Sequence, residues 1–191
     1  MSKSITILLD IDGVLADYLT AIREALGMPK ESIEYFIEHP ERYTIELFDE
    51  AMGGPERRKD LQNTLPHTFW QNLDKLPWAD ELVKKLTENF PVTLLTSPGR
   101  SVEAPKGKML WQQQHYPTLH TAIARNKYMF ASMNKVLIDD DDFQTTNFTK
   151  NGGPSIQWTN QFVLNALDEK QRSAHIDQII AGLKQYQATL K

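Results

Sequence analysis

The chain has 191 residues, no cysteine and a formal net charge of −4, with 40% hydrophobic and 24% charged residues. That length suits one well-buried domain with a small insertion, and the composition is globular rather than disordered. Without cysteine there are no disulfides, thiolate zinc sites or cysteine nucleophiles, and the negative charge argues against a basic face that grips a nucleic acid polymer.

The first element is the apolar run Ile5–Leu9, interrupted only by Thr6. It is too short for a membrane span or a signal-peptide core, and no other segment qualifies, so a soluble, cytoplasmic protein with no membrane partner is expected. After it, residues 17–75 contain no convincing strand but several helical patches, proline-containing breaks and many aromatics. Leu19, Ile22 and Leu26 suit one helix, and Ile33, Phe36 and Ile37 another. Such an insertion is either a cap over an active site or a helical packing layer. Ala79, Leu82, Val83, Leu86 and Phe90 then recur at helical spacing between Pro77 and Pro91. Val92–Leu95 and Val136–Ile138 are short apolar runs, as parallel strands covered on both faces require. Ala122-Ile123-Ala124 is a short further candidate. Ile156–Trp158 is another, after the turn Asn151-Gly152-Gly153-Pro154. A last helix carries Ile176, Ile179, Ile180, Leu183 and Tyr186 on one stripe. Alternating strands and helices indicate an α/β fold around a mostly parallel sheet.

Each central strand ends in polar groups: Asp10 and Asp12, then Thr96 and Ser97, then Asp139 and Asp140. Ligands of open parallel sheets bind beyond the carboxyl ends of the strands, so these residues should converge. So many carboxylates in one place call for a cation, and an all-oxygen ligand set favours a hard ion such as magnesium together with a phosphate. Asp10-Ile11-Asp12-Gly13 is not an EF-hand-type calcium loop, because its glycine is at the fourth position and Ala21 stands where a glutamate is needed. Lys127, shortly before the acidic strand, suits a phosphoryl-transfer site that needs positive charge on phosphate oxygens.

The run Asp10-Ile11-Asp12-Gly13-Val14-Leu15-Ala16-Asp17 resembles the first motif of the haloacid dehalogenase superfamily, and Thr96, Lys127 and Asp139-Asp140 fit its later motifs in order. The Leu95-Thr96-Ser97-Pro98 and Leu137-Ile138-Asp139-Asp140 runs are similar to those of 5'(3')-deoxyribonucleotidases. The resemblance implies a Rossmann-like three-layer core of residues 1–16 and 76–191, with a small helical cap of residues 17–75. It implies a magnesium-dependent phosphatase that acts on deoxynucleoside monophosphates. Asp10 would be the nucleophile and Asp12 the general acid and base. Asp10, the Asp12 carbonyl and Asp140 would hold the metal, with Asp139 sharing or supporting that shell. Thr96 and Ser97 would donate to phosphate oxygens and Lys127 would offset charge. Tyr18, Phe69, Trp70 and Lys108 correspond to residues that approach the nucleoside. Phe69 and Trp70 suit cap core equally well, and Lys108 suits plain solvation. By resemblance alone, a homodimer is the expected assembly. Two departures stand out: Asp141 and Asp142 replace an arginine and a proline of mammalian-type relatives, and residues 101–106 match poorly. The competing readings are a phosphatase for another small metabolite and a non-catalytic protein that retains the fold.

Overall fold

The computed structural model describes residues 4–190. Five strands form one sheet: β1 (Thr6–Leu9), β2 (Val92–Thr96), β3 (His120–Ile123), β4 (Lys135–Asp139) and β5 (Ser155–Gln157). All neighbours are parallel, in the order β3-β2-β1-β4-β5. β1 is central, with Leu9 in register with Leu94 of β2 and Ile138 of β4. The chain builds outward from β1 to β2 and β3, then crosses to β4 and β5. The strand order therefore reverses beside β1, the position at which such sheets open a crevice.

Alternate residues of the strands feed two separate hydrophobic clusters. Ile7, Leu9, Leu94, Val136 and Ile138 pack on one face with the tryptophan-rich main core. Leu8, Leu95 and Leu137 meet Phe148 on the other face. This is why the three central strands read as mostly apolar runs: both their faces are covered, as in a three-layer α/β fold.

The helices in chain order are α1 (Tyr18–Ala25), α2 (Glu34–Glu38), α3 (Ile45–Ala51), α4 (Pro55–Thr64), α5 (His67–Gln71) and α6 (Ala79–Thr87). They continue with α7 (Ala104–His115), α8 (Asp142–Lys150), α9 (Gln161–Ala166) and α10 (Glu169–Thr189). Helices α1 to α5 all lie between β1 and α6, in the stretch expected to lack strands. The chain leaves and re-enters that stretch side by side, with Asp17 N donating to Asp74 O and Leu76 N to Leu15 O, each at 2.8 Å. One expectation fails there. Ile33, Phe36 and Ile37 do not share a buried helical stripe: Ile33 closes a 3-10 turn (Lys30–Ile33), only Phe36 and Ile33 are buried, and Ile37 is 46% exposed. Pro29 precedes the 3-10 turn and Pro40 ends the segment after His39, with only the five residues Glu34–Glu38 α-helical between them. At the C-terminal end, α10 has the expected stripe and starts with a capping box of Asp168 and Gln171. No helix among the described residues is long and apolar enough to cross a membrane.

Candidate active site

Asp10 follows the last residue of β1, and its backbone N–H donates to Ile138 O at 3.0 Å, which fixes the strand end against β4. The chain then turns at Gly13, whose φ of +74° lies in the left-handed region. A Cβ there would also overlap the Asp140 carboxylate, so glycine is needed both for the turn and for the close approach. Asp17, last of the acidic first motif, is occupied as a helix cap: its Oδ1 accepts from Thr20 N at 3.1 Å and from Gln161 Nε2 at 2.9 Å.

At the end of β4, Asp139 is fully buried with both oxygens engaged, Oδ1 by Asp141 N at 3.0 Å and Oδ2 by Lys127 Nζ at 2.6 Å. Lys127 also reaches Asp10 Oδ1 at 2.7 Å, a charge contact without hydrogen-bond alignment that leaves this oxygen without a hydrogen bond. Gln144 of α8 orients the lysine segment, accepting from Lys127 N at 3.3 Å and donating to Arg125 O at 3.1 Å. Nothing in the sequence marks Gln144 for this task. Asp10, Asp139 and half-buried Asp140 each offer a carboxylate oxygen, all within 4.8 Å of one another. Burial raises the Asp139 carboxyl to about 7 and Asp140 well above the usual carboxylate range, and neighbouring carboxylates add to both effects. A set of hard oxygen donors that repel one another fits a divalent cation. Asp141 is used structurally: its Oδ1 caps α8 through Phe143 N at 2.9 Å.

The other half of the site comes from β2 and α7. Thr96, fully buried, ends β2, and Ser97 follows it. Lys108 of α7 is 2% exposed and donates to Asp12 Oδ2 at 2.5 Å, Ser97 O at 2.8 Å and Thr96 Oγ1 at 3.1 Å. Burial raises the Asp12 carboxyl, with Lys108 opposing the effect. The Lys108 ammonium also lies 5.0 Å from the centroid of the Trp70 ring. Trp70, buried on α5, stacks on Tyr18 at 5.6 Å and 5°, and Phe69 meets it edge-on at 5.1 Å. The Tyr18 hydroxyl accepts from Gln62, and burial raises its pKa to about 12. Arg58 pairs with buried Asp49 beyond it. Gln62, Arg58 and Asp49 carry no sequence signal, since all three sit on helical faces that read as solvated.

The expected residues thus form one connected arrangement. Lys127 joins Asp10 to Asp139, Lys108 joins Asp12 to Thr96 and Ser97, and Trp70 joins Lys108 to Tyr18. Phe69 is partly buried at the margin of the core. Two surface clefts, of about 740 Å³ lined by Glu81 and Asp168–Lys170 and about 460 Å³ lined by Arg23 and Phe162, include none of these residues.

Residues 3–185 match the family model described as 5' nucleotidase, deoxy (pyrimidine), cytosolic type C protein. Proteins from two Staphylococcus epidermidis strains, named provisionally as 5'(3')-deoxyribonucleotidases, are 27% identical over 164 residues, covering 80% of this chain and 82% of theirs. Among solved structures, a haloacid dehalogenase-like hydrolase from Xanthomonas campestris has a TM-score of 0.49 at 12% identity, covering 95% of this chain and 94% of its own. The magnesium-bound YfnB of Bacillus subtilis has a TM-score of 0.49 at 12% identity, covering 80% and 86%.

Proposed function

Because the chain belongs to the 5' nucleotidase, deoxy (pyrimidine), cytosolic type C family, we propose that this phosphomonoester hydrolase acts on deoxynucleoside monophosphates in the cytoplasm. The observation that carries this reading is the convergence of Asp10, Asp12, Thr96 and Asp140 at three adjacent strand ends, with Lys127 reaching Asp10 from the turn after β3. No other cluster of acids among the described residues pairs with two buried lysines in this way.

In this reading Asp10 attacks phosphorus. The new Asp10–phosphorus bond replaces the bond to the sugar oxygen, which takes a proton from Asp12. Asp12 then removes a proton from water, and the water oxygen displaces Asp10 from the aspartyl-phosphate. Lys127 offsets charge on the transferring oxygens, and the Thr96 and Ser97 hydroxyls donate to them. Magnesium is the proposed ion, held by Asp10, Asp140 and the Asp12 carbonyl, with Asp139 tied to Lys127 in support. Bound there, it would neutralise phosphate charge and relieve the repulsion among the carboxylates. Residues 17–75 serve as the cap over the core of residues 1–16 and 76–191, with Tyr18, Phe69 and Trp70 forming the apolar side toward the nucleoside.

The test is turnover of deoxynucleotides, ribonucleotides and sugar phosphates with magnesium present. Deoxynucleoside monophosphates should give the highest kcat/KM, and equal or better turnover of sugar phosphates would overturn the substrate assignment. Asp10→Asn should keep its circular dichroism spectrum and lose turnover; an active variant would remove Asp10 as nucleophile.

A further inference from the structure

Lys108 corresponds by resemblance to a residue near the nucleoside, but its surroundings give it another task. We infer that Lys108 is a positioning residue that fixes the Asp12 carboxyl toward the leaving group and couples it to Trp70 of the helical segment. This rests on the phosphatase reading above.

An ammonium has three N–H donors, and Lys108 spends them on three protein acceptors: Asp12 Oδ2, Thr96 Oγ1 and Ser97 O. With 2% of the residue exposed, there is neither a spare donor nor an open approach for a substrate group. Lys108 is buried and the Asp12 side chain is only 23% exposed, so this pair is better shielded than a surface ion pair and holds its geometry more firmly. It also divides the two Asp12 oxygens. Oδ2 is tied to Lys108, whereas Oδ1 is buried without any hydrogen-bond partner. An orphaned buried carboxylate oxygen at a strand end is costly to keep, and a proton shared with a leaving oxygen would satisfy it. Lys127 does not duplicate this role, because its contacts go to Asp10 and Asp139.

The link to Trp70 is built into the packing. Gly107, next to Lys108, has no room for a Cβ: it would overlap the His67 carbonyl and the Trp70 Cβ. Helix α7 therefore presses against α5 where Lys108 leaves the backbone, and its ammonium sits over the indole face at 5.0 Å, the separation of a cation–π contact. Displacing Trp70 would displace the ammonium, and with it Asp12 Oδ2.

The test compares two esters that differ in their need for an acid. The alkoxide of a deoxynucleoside 5'-monophosphate must be protonated to leave, whereas p-nitrophenolate leaves without help. kcat/KM reports the first phosphoryl transfer only, so the later role of Asp12 as base does not enter. Lys108→Met should lose about 100-fold or more in kcat/KM on the deoxynucleotide, the range expected for a misplaced general acid, and far less on p-nitrophenyl phosphate. Trp70→Leu should show the same selectivity, with about a tenfold loss on the deoxynucleotide. Equal losses on both esters would overturn the inference, since they are the mark of a phosphate contact or a damaged fold. If Lys108→Met does not fold, Lys108→Arg decides by the same ratio, because it keeps the charge and shifts the donors. A wild-type protein that spares the deoxynucleotide but cleaves p-nitrophenyl phosphate would overturn the substrate assignment alone; glycerol phosphate then replaces the deoxynucleotide as the alkyl ester. A wild-type protein inert toward every ester would overturn both.

Discussion

Lys127 lies between two carboxylates, 2.7 Å from Asp10 Oδ1 and 2.6 Å from Asp139 Oδ2, with its side chain 1% exposed. Burial alone would push its ammonium toward neutrality, but Asp10 and Asp139 outweigh that and hold its pKa above the usual lysine value. The charge is therefore present whenever the protein is folded. Lys127→Met should remove it at a cost of about 3–5 kcal/mol in stability, because two buried carboxylates lose their partner. Adding Asp139→Asn should recover part of that stability in urea unfolding, since one of the stranded charges is gone, but should not recover turnover. If the double variant is as active as wild type, Lys127 has no part in the chemistry. Order among the motifs made Lys127 legible in the sequence, and strand ends made Asp10, Thr96, Asp139 and Asp140 so. Lys108 was not legible in the same way. A lysine eleven residues beyond Ser97 reads as solvated on its own, and only the approach of α7 to α5 reveals that its ammonium is buried.

The elements repeat that division. The central strands β1, β2 and β4 could be read because both their faces are covered, which leaves an apolar run with little polar interruption, whereas the edge strands β3 and β5 are half-buried or exposed and carry little such signal. Helix α10 could be read because its buried face, Ile176, Ile180 and Leu183, is apolar and evenly spaced. Helix α7 could not. Its buried positions include Gly107, Lys108 and Gln112 beside Ala104 and Trp111, so a search for apolar periodicity passes over the face that matters most. Gln112 is held there by donating to Tyr116 O at 2.8 Å and Leu119 O at 2.9 Å. The contact between α5 and α7 yields a prediction at this scale. Gly107→Ala adds one methyl group where backbone and side chain already occupy the space. It should cost about 1–3 kcal/mol as overpacking, lower the thermal midpoint, and reduce kcat/KM on an alkyl phosphate more than on p-nitrophenyl phosphate by shifting Lys108. Loss of stability with an unchanged ratio between the esters would separate the α5–α7 contact from the chemistry.

For the molecule as a whole, a parallel sheet that switches direction beside β1 brings Asp10, Asp139 and Asp140 together from strands far apart in sequence. Folding without a cation must hold these acids within 4.8 Å of one another, and their mutual repulsion opposes the fold. Under the proposed function, activity and stability conflict at this point, as is common where a site requires strained or repelling groups. Asp140 is the acid best placed to test the conflict, because no lysine among the described residues forms an ion pair with it, while Asp10 and Asp139 share Lys127. Asp140→Asn keeps the side-chain shape beside Gly13 and removes a charge. The metal-free variant should melt at a higher temperature than the metal-free wild type. Magnesium at about a hundred times its dissociation constant should stabilise the wild type by roughly 2.7 kcal/mol, or roughly 5–10 °C for a chain of this size. The variant should show little of that shift and little turnover, so that magnesium reverses the order of the two melting temperatures. An equal magnesium shift in both proteins would take Asp140 out of the ligand set. A metal-free variant that melts below the wild type would mean that Asp140 supports the fold rather than opposing it.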